Sequence, residues 1–120
     1  MGYESKFYVV EKSTIENGGK IWGEVIAMFD MSKLGCETLR EIKEFAPTNT
    51  YIYADDGNTR ITEDMYGDEL IEIPIPDMIT ILKGMTEREP GYRRIKPFKK
   101  MLKGFNKEKW KDVVVLHYGY

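Results

Sequence analysis

The chain has 120 residues, 42% hydrophobic and 32% charged, with 18 Lys and Arg against 20 Asp and Glu and a formal net charge of −2. That length fits one domain with its own core and is too short for two. No run approaches eighteen consecutive apolar residues, which excludes a membrane-spanning helix; the single Cys36 excludes an internal disulfide and fits a reducing compartment.

Met1-Gly2-Tyr3-Glu4-Ser5-Lys6 lacks the basic-then-apolar order of a signal peptide, and Lys6 stands where a myristoylation signal wants Ser or Thr. Residues 6–10, KFYVV, are β-branched and aromatic and predict a first strand. Asn17-Gly18-Gly19 marks a turn, with 13–16 reading as part of a connection longer than a minimal hairpin. Residues 21–29 predict a second strand antiparallel to the first, and its apolar run predicts cover on both faces. A loop or short helical turn is expected over 30–35.

Leu39, Ile42, Phe45 and Ala46 keep helical spacing over 36–46, until Pro47 stops the run. In YIYADDGNTRITEDMYGDEL, residues 51–70, Asp56-Gly57 between β-prone runs predicts a hairpin, because Gly accepts the positive φ of a tight turn. A second break falls at Tyr66-Gly67-Asp68, and 69–73 predicts a further strand. Pro76 suits a first helical turn, with Ile75, Met78, Ile79, Leu82 and Met85 on one face. A third helix is expected after Pro97, with Phe98, Met101, Leu102 and Phe105 as its apolar stripe and Gly104 as stop or final turn. Residues 112–118 read as a strand for the middle of a sheet, paired with the first strands across the chain. The whole predicts one α+β domain over 1–120: a mostly antiparallel or mixed sheet of about five strands with three helices.

The near-zero net charge hides a strong asymmetry. Between positions 87 and 111, ten Lys and Arg stand against three Glu, while 54–72 is acidic. Such sorting fits pairing within the chain or between subunits of an oligomer, or a basic surface for an anionic partner. Two binding surfaces are predicted from it. One is the acidic hairpin with Asp55, Asp56, Asp64 and Asp68. The other is the basic patch of Tyr92, Arg93, Arg94, Lys96, Lys99, Lys100 and Lys103, where four lysines lie nearly opposite the apolar stripe of their helix.

Convergent carboxylates can hold Mg²⁺ or Mn²⁺, but an EF-hand pattern would put Ile52, Ala54 and Asp56 before Gly57, and the first two cannot ligate. No HExxH, phosphate-binding glycine loop or dinucleotide fingerprint occurs. The lone His117 in an apolar strand reads as a hydrogen-bonded core or edge residue, and Ser5, Ser13 and Ser32 lack a nucleophile-elbow context. The sequence therefore predicts no catalytic residues, no metal and no cofactor. Paired Arg93 and Arg94 suit phosphate or carboxylate recognition, and Tyr92 offers a ring or hydroxyl beside them.

Gly2-Tyr3-Glu4-Ser5-Lys6, Tyr8-Val9-Val10-Glu11-Lys12, Tyr53-Ala54-Asp55-Asp56-Gly57-Asn58-Thr59-Arg60, Tyr66-Gly67-Asp68, Tyr92-Arg93-Arg94-Ile95, Leu102-Lys103-Gly104-Phe105 and Leu116-His117-Tyr118-Gly119 span nearly the whole chain. On these pieces the sequence resembles a family of small proteins of phages and prophages of Gram-positive bacteria. The resemblance brings no catalytic residues with it. By analogy it implies a non-enzymatic binder in the host cytoplasm that inhibits an antiphage defence system, such as CRISPR, by engaging a host protein or a signalling nucleotide. A nucleic-acid-binding accessory protein using 93–103 is the alternative, and a metal-dependent hydrolase on 55–68 a third.

Overall fold

The computed structural model describes residues 5–31, 35–65 and 67–119. Residues 1–4, residues 32–34 of the loop expected over 30–35, Tyr66 of the second acidic break and Tyr120 lie outside them. The described chain is α+β, with element order β1 (Ser5–Asn17), β2 (Lys20–Asp30), α1 (Cys36–Lys43), β3 (Thr50–Tyr53), β4 (Arg60–Ile61), β5 (Ile71–Pro74), α2 (Ile75–Arg88), α3 (Ile95–Lys107) and β6 (Val113–Gly119).

The strands form one mixed sheet in the order β4-β3-β2-β1-β6-β5. β1 is antiparallel to both β2 and β6, and only the β2–β3 pair is parallel. The apolar stretch 113–118 takes the middle of the sheet as its sequence predicts, setting Phe7 opposite His117 and Val9 opposite Val115.

β1 and β2 meet in a tighter hairpin than the sequence indicates. Strand pairing continues to Asn17↔Lys20, and the turn is Gly18-Gly19 alone, with φ of +64° and +80°. Both turn residues must be left-handed to match the twist of the strands, which glycine allows without strain. Residues 13–16 belong to β1, and the slack appears as a register shift between Lys12 and Glu16. The expected cover on both faces of β2 is also corrected. Val25, Ile26 and Met28 are 39%, 41% and 47% exposed, because β3 pairs only with Ile21 and Trp22 and a bulge between Val9 and Val10 leaves Ile26 out of register.

The helices cover one face of the sheet. Phe7, Val9, Ile73, Val113 and Val115 from the strands meet Ile42, Met78, Leu82, Met85, Phe98 and Leu102 from the helices in the main core. Phe98 stacks on Phe29 with ring centroids 4.4 Å apart and lies 5.6 Å from Phe7. Pro76 falls in the first turn of α2. α3 starts two residues before Pro97, so this proline sits within the first turn, where its missing N–H has no helical partner to lose. Gly104 lies inside α3, whose last residue is Lys107. α1 ends at Lys43, earlier than its apolar spacing indicates; Phe45 instead packs on the main core and Pro47 bridges to Ile71.

The opposite face carries a smaller core of Val10, Ile52, Leu70 and Leu116, with Tyr8, Ile61, Val114 and Tyr118 against it. Side chains of β3 and β1 approach each other across β2 at Gly23, which has no side chain. A Cβ there would meet Thr50 Cγ2 at 2.6 Å and Val10 Cγ2 at 3.3 Å. The segment after β4 doubles back through a Glu63↔Glu69 bridge and leads directly into β5, so the acidic stretch joins the two ends of the sheet order.

Candidate functional site

The acidic hairpin forms between β3 and β4, with Ile52↔Ile61 and Tyr53↔Arg60 as its paired residues. The Ala54 N–H donates to the Thr59 carbonyl at 2.8 Å, and Gly57, at φ +74°, donates to the Ala54 carbonyl. Asp56 is spent on this turn. Its carboxylate accepts the N–H groups of Asn58 and Thr59, both at 2.8 Å, and the Thr59 hydroxyl at 2.6 Å. Led by the Thr59 hydroxyl, these bonds pull its pKa down to about 2.

Asp64 is spent in a similar way. It is 6% exposed, its N–H donates to the Asp68 carbonyl at 2.8 Å, and its carboxylate accepts the Asp68 N–H at 3.1 Å. Gly67, at φ +84°, closes the turn. Only Asp55 and Asp68 of the four predicted residues present exposed side chains that take no part in those side-chain bonds. Among the described residues no three His, Cys, Asp or Glu come together as a set able to hold a metal ion.

The basic patch is built on α3. With about 100° per residue, Lys96, Lys100, Lys103 and Lys107 form one stripe about 16 Å long, and Lys99 flanks it. Ile95, Phe98 and Leu102 are buried on the other side. The ion pairs of Lys12 with Glu72 at 3.2 Å, and of Arg88 with Glu37 and Glu41 at 3.7 and 3.3 Å, involve neither the acidic hairpin nor α3. Among the described residues, no carboxylate pairs with Lys96, Lys99, Lys100 or Lys103.

The residues leading into α3 divide between structure and surface. Arg94 Nη1 donates to the Asp30 carbonyl at the end of β2, so this guanidinium ties α3 to the sheet. Tyr92 packs against the main core, and burial raises its phenol pKa, with Asp30 and Glu89 adding and Arg94 opposing. Arg93 is exposed and, with Tyr92, Lys96, Thr86 and Glu89, lines a cleft of about 280 Å³. The structure therefore joins Arg93 to the lysine stripe, leaves Tyr92 half-buried, and commits the exposed Arg94 to a bond with β2.

His117 is 2% exposed, with Nε2 2.5 Å from the Ser5 hydroxyl and its ring 5.0 Å from Phe7. Burial lowers its pKa to about 4, Lys43 acting in the same direction and Asp64 against it, so the ring is neutral at pH 7. Together with Lys43, Phe45, Asp68, Glu69 and Ile71 it lines a cleft of about 500 Å³. Ser5 is 1% exposed within β1, which keeps its hydroxyl out of reach of a substrate without displacement of the strand.

A further surface feature, which the sequence does not predict, lies at the end of α3. Met101, Gly104, Phe105, Lys107, Glu108 and Trp110 line a shallow, open notch of about 340 Å³ there. Trp110 is 50% exposed and meets Phe105 edge-on at 5.2 Å. The signal in the sequence is a tryptophan inside the polar stretch NKEKWKD. No protein-family model, curated protein or solved structure matches this chain. Among the described residues no helix is long and apolar enough to cross a membrane.

Proposed function

We propose that this chain is a non-enzymatic binding protein that works through the lysine face of α3. In line with the phage family that its sequence resembles, its target is a component of a bacterial antiphage defence in the host cytoplasm. The observation that carries the reading is a stripe of lysines left without carboxylate partners among the described residues, while the acidic hairpin uses Asp56 and Asp64 to hold its own turns. Uncompensated charge on a rigid helix attracts an anionic surface and speeds encounter with it. The acidic hairpin serves as a scaffold that closes the sheet, and the basic helix makes the contact.

The test is plating of phage on a host with an active defence. Expression of the chain raises plating efficiency, and reversing Lys96, Lys99, Lys100 and Lys103 to Glu abolishes the rise. Equal plating with the chain and the charge-reversed variant removes the reading. A nucleic-acid partner is the second reading, favoured by the 16 Å stripe (about 1.5 Å per residue), which can track a phosphate backbone. It requires binding that weakens steeply with salt.

A further inference from the structure

We infer that the notch at the end of α3 receives one apolar side chain from an acidic protein segment whose carboxylates lie along the neighbouring lysines. This inference rests on the reading of α3 as the contact face and names the partner that the face fits.

Three observations converge on the notch. The first is its shape. Gly104 interrupts the surface of α3, with nothing within 4 Å of where a Cβ would stand, and Met101, Phe105 and Trp110 form apolar walls around a space of about 340 Å³. The second is the backbone that holds Trp110. Lys109 and Asp112, on either side of it, have φ of +54° and +63°, a region that non-glycine residues seldom occupy. The Trp110 N–H is fixed to the Phe105 carbonyl at 3.2 Å. A strained loop thus keeps a large aromatic residue half in water, where desolvation by a partner gains most.

The third is charge. Gly104 follows Lys103 and lies about 60° around the helix from Lys107, so the notch borders the lysine stripe. An apolar socket beside unpaired cations matches a segment with one apolar anchor and several carboxylates. A nucleic acid is the competing occupant, since a base face can stack on Trp110, but the largely apolar lining offers little to the polar edges of that base.

The test uses the full chain carrying Trp22→Phe, so that Trp110 is its only indole. The probes are a synthetic peptide of one Phe flanked by glutamates, the same peptide with Ser for Phe, and a single-stranded oligothymidylate. The Phe peptide is expected to bind, to shift Trp110 emission to the blue, and to bind about tenfold more tightly than the Ser peptide. Gly104→Leu, on an exposed helical position where Leu favours the helix, abolishes that tenfold preference and leaves Ser-peptide binding unchanged. Lys100→Glu with Lys103→Glu weakens both peptides. Equal binding of the two peptides, or an unchanged preference in Gly104→Leu, overturns the notch and leaves the basic face standing. If the charge reversals weaken none of the three probes, the basic face falls as well. Oligothymidylate binding tighter than the Phe peptide and insensitive to Gly104→Leu overturns the protein partner in favour of a nucleic acid.

Discussion

Gly23→Ala tests how the two sides of the sheet share space. The added Cβ would stand 2.6 Å from Thr50 Cγ2 and 3.3 Å from Val10 Cγ2, and Thr50 and Val10 are 1% and 0% exposed, so neither can swing into solvent. Overpacking of this kind costs about 1–3 kcal/mol, and the shorter contact places Gly23→Ala near the upper part of that range. Thr50→Ser removes the methyl that makes the 2.6 Å contact and keeps the hydroxyl; alone it costs about 1 kcal/mol for one buried methyl group. In the double variant the severe clash is gone, so the two changes sum to less than their separate costs by about 1–2 kcal/mol. Urea unfolding followed by tryptophan fluorescence measures all four proteins, provided the slope of stability against urea stays constant. Additive costs, or a Gly23→Ala protein within 0.5 kcal/mol of the parent (about the limit of an ordinary surface change), refute the packing account.

Three further outcomes are expected. Asp56, held at about 2 by its turn bonds, makes the amide resonances of Asn58 and Thr59 titrate with a midpoint near 2; a midpoint at the ordinary 3.8 shows that those bonds are absent in solution. The sign is that of a depressed carboxylate: the turn is stabilised above the unfolded pKa and loses that contribution as pH falls through the folded one. His117 is buried neutral with its pKa lowered from 6.5 to about 4, so the unfolded chain binds its proton first. Stability then falls between pH 6.5 and 4, by about 3 kcal/mol at most, and His117→Gln flattens that part of the pH profile. Phe98→Ala opens a cavity between Phe29 and Phe7 and costs about 3–5 kcal/mol in denaturant unfolding; a cost below 1 kcal/mol, the scale of a single methylene, contradicts the stacked core.

Much of the architecture is legible in the sequence because local chemistry and burial agree there. The apolar stripe of α3, the proline in the first turn of α2 and the apolar 113–118 run each carry one meaning. What escapes the sequence depends on neighbours. Residues 13–16 belong to β1 because its ladder with β2 resumes at Glu16↔Ile21 past a register shift, and the apolar run of β2 looks buried although β3 leaves most of its outer edge uncovered. The candidate site is divided in the same way. Helical spacing exposes the lysine stripe, but whether Asp64 points outward depends on its bond to the Asp68 backbone, and whether Arg94 is free depends on a carbonyl 64 residues away. Trp110 acquires meaning only when α3 ends beside it.

β6 lies between β1 and β5, and its Gly119 pairs with Ser5. The hairpin of β1 and β2 can zip as soon as its own turn is made, yet the other edge of β1 stays unpaired until a strand from the opposite end of the sequence slots in. Closing so large a loop is slow. During that wait the unpaired edge of β1 is open to capture by any other extended chain.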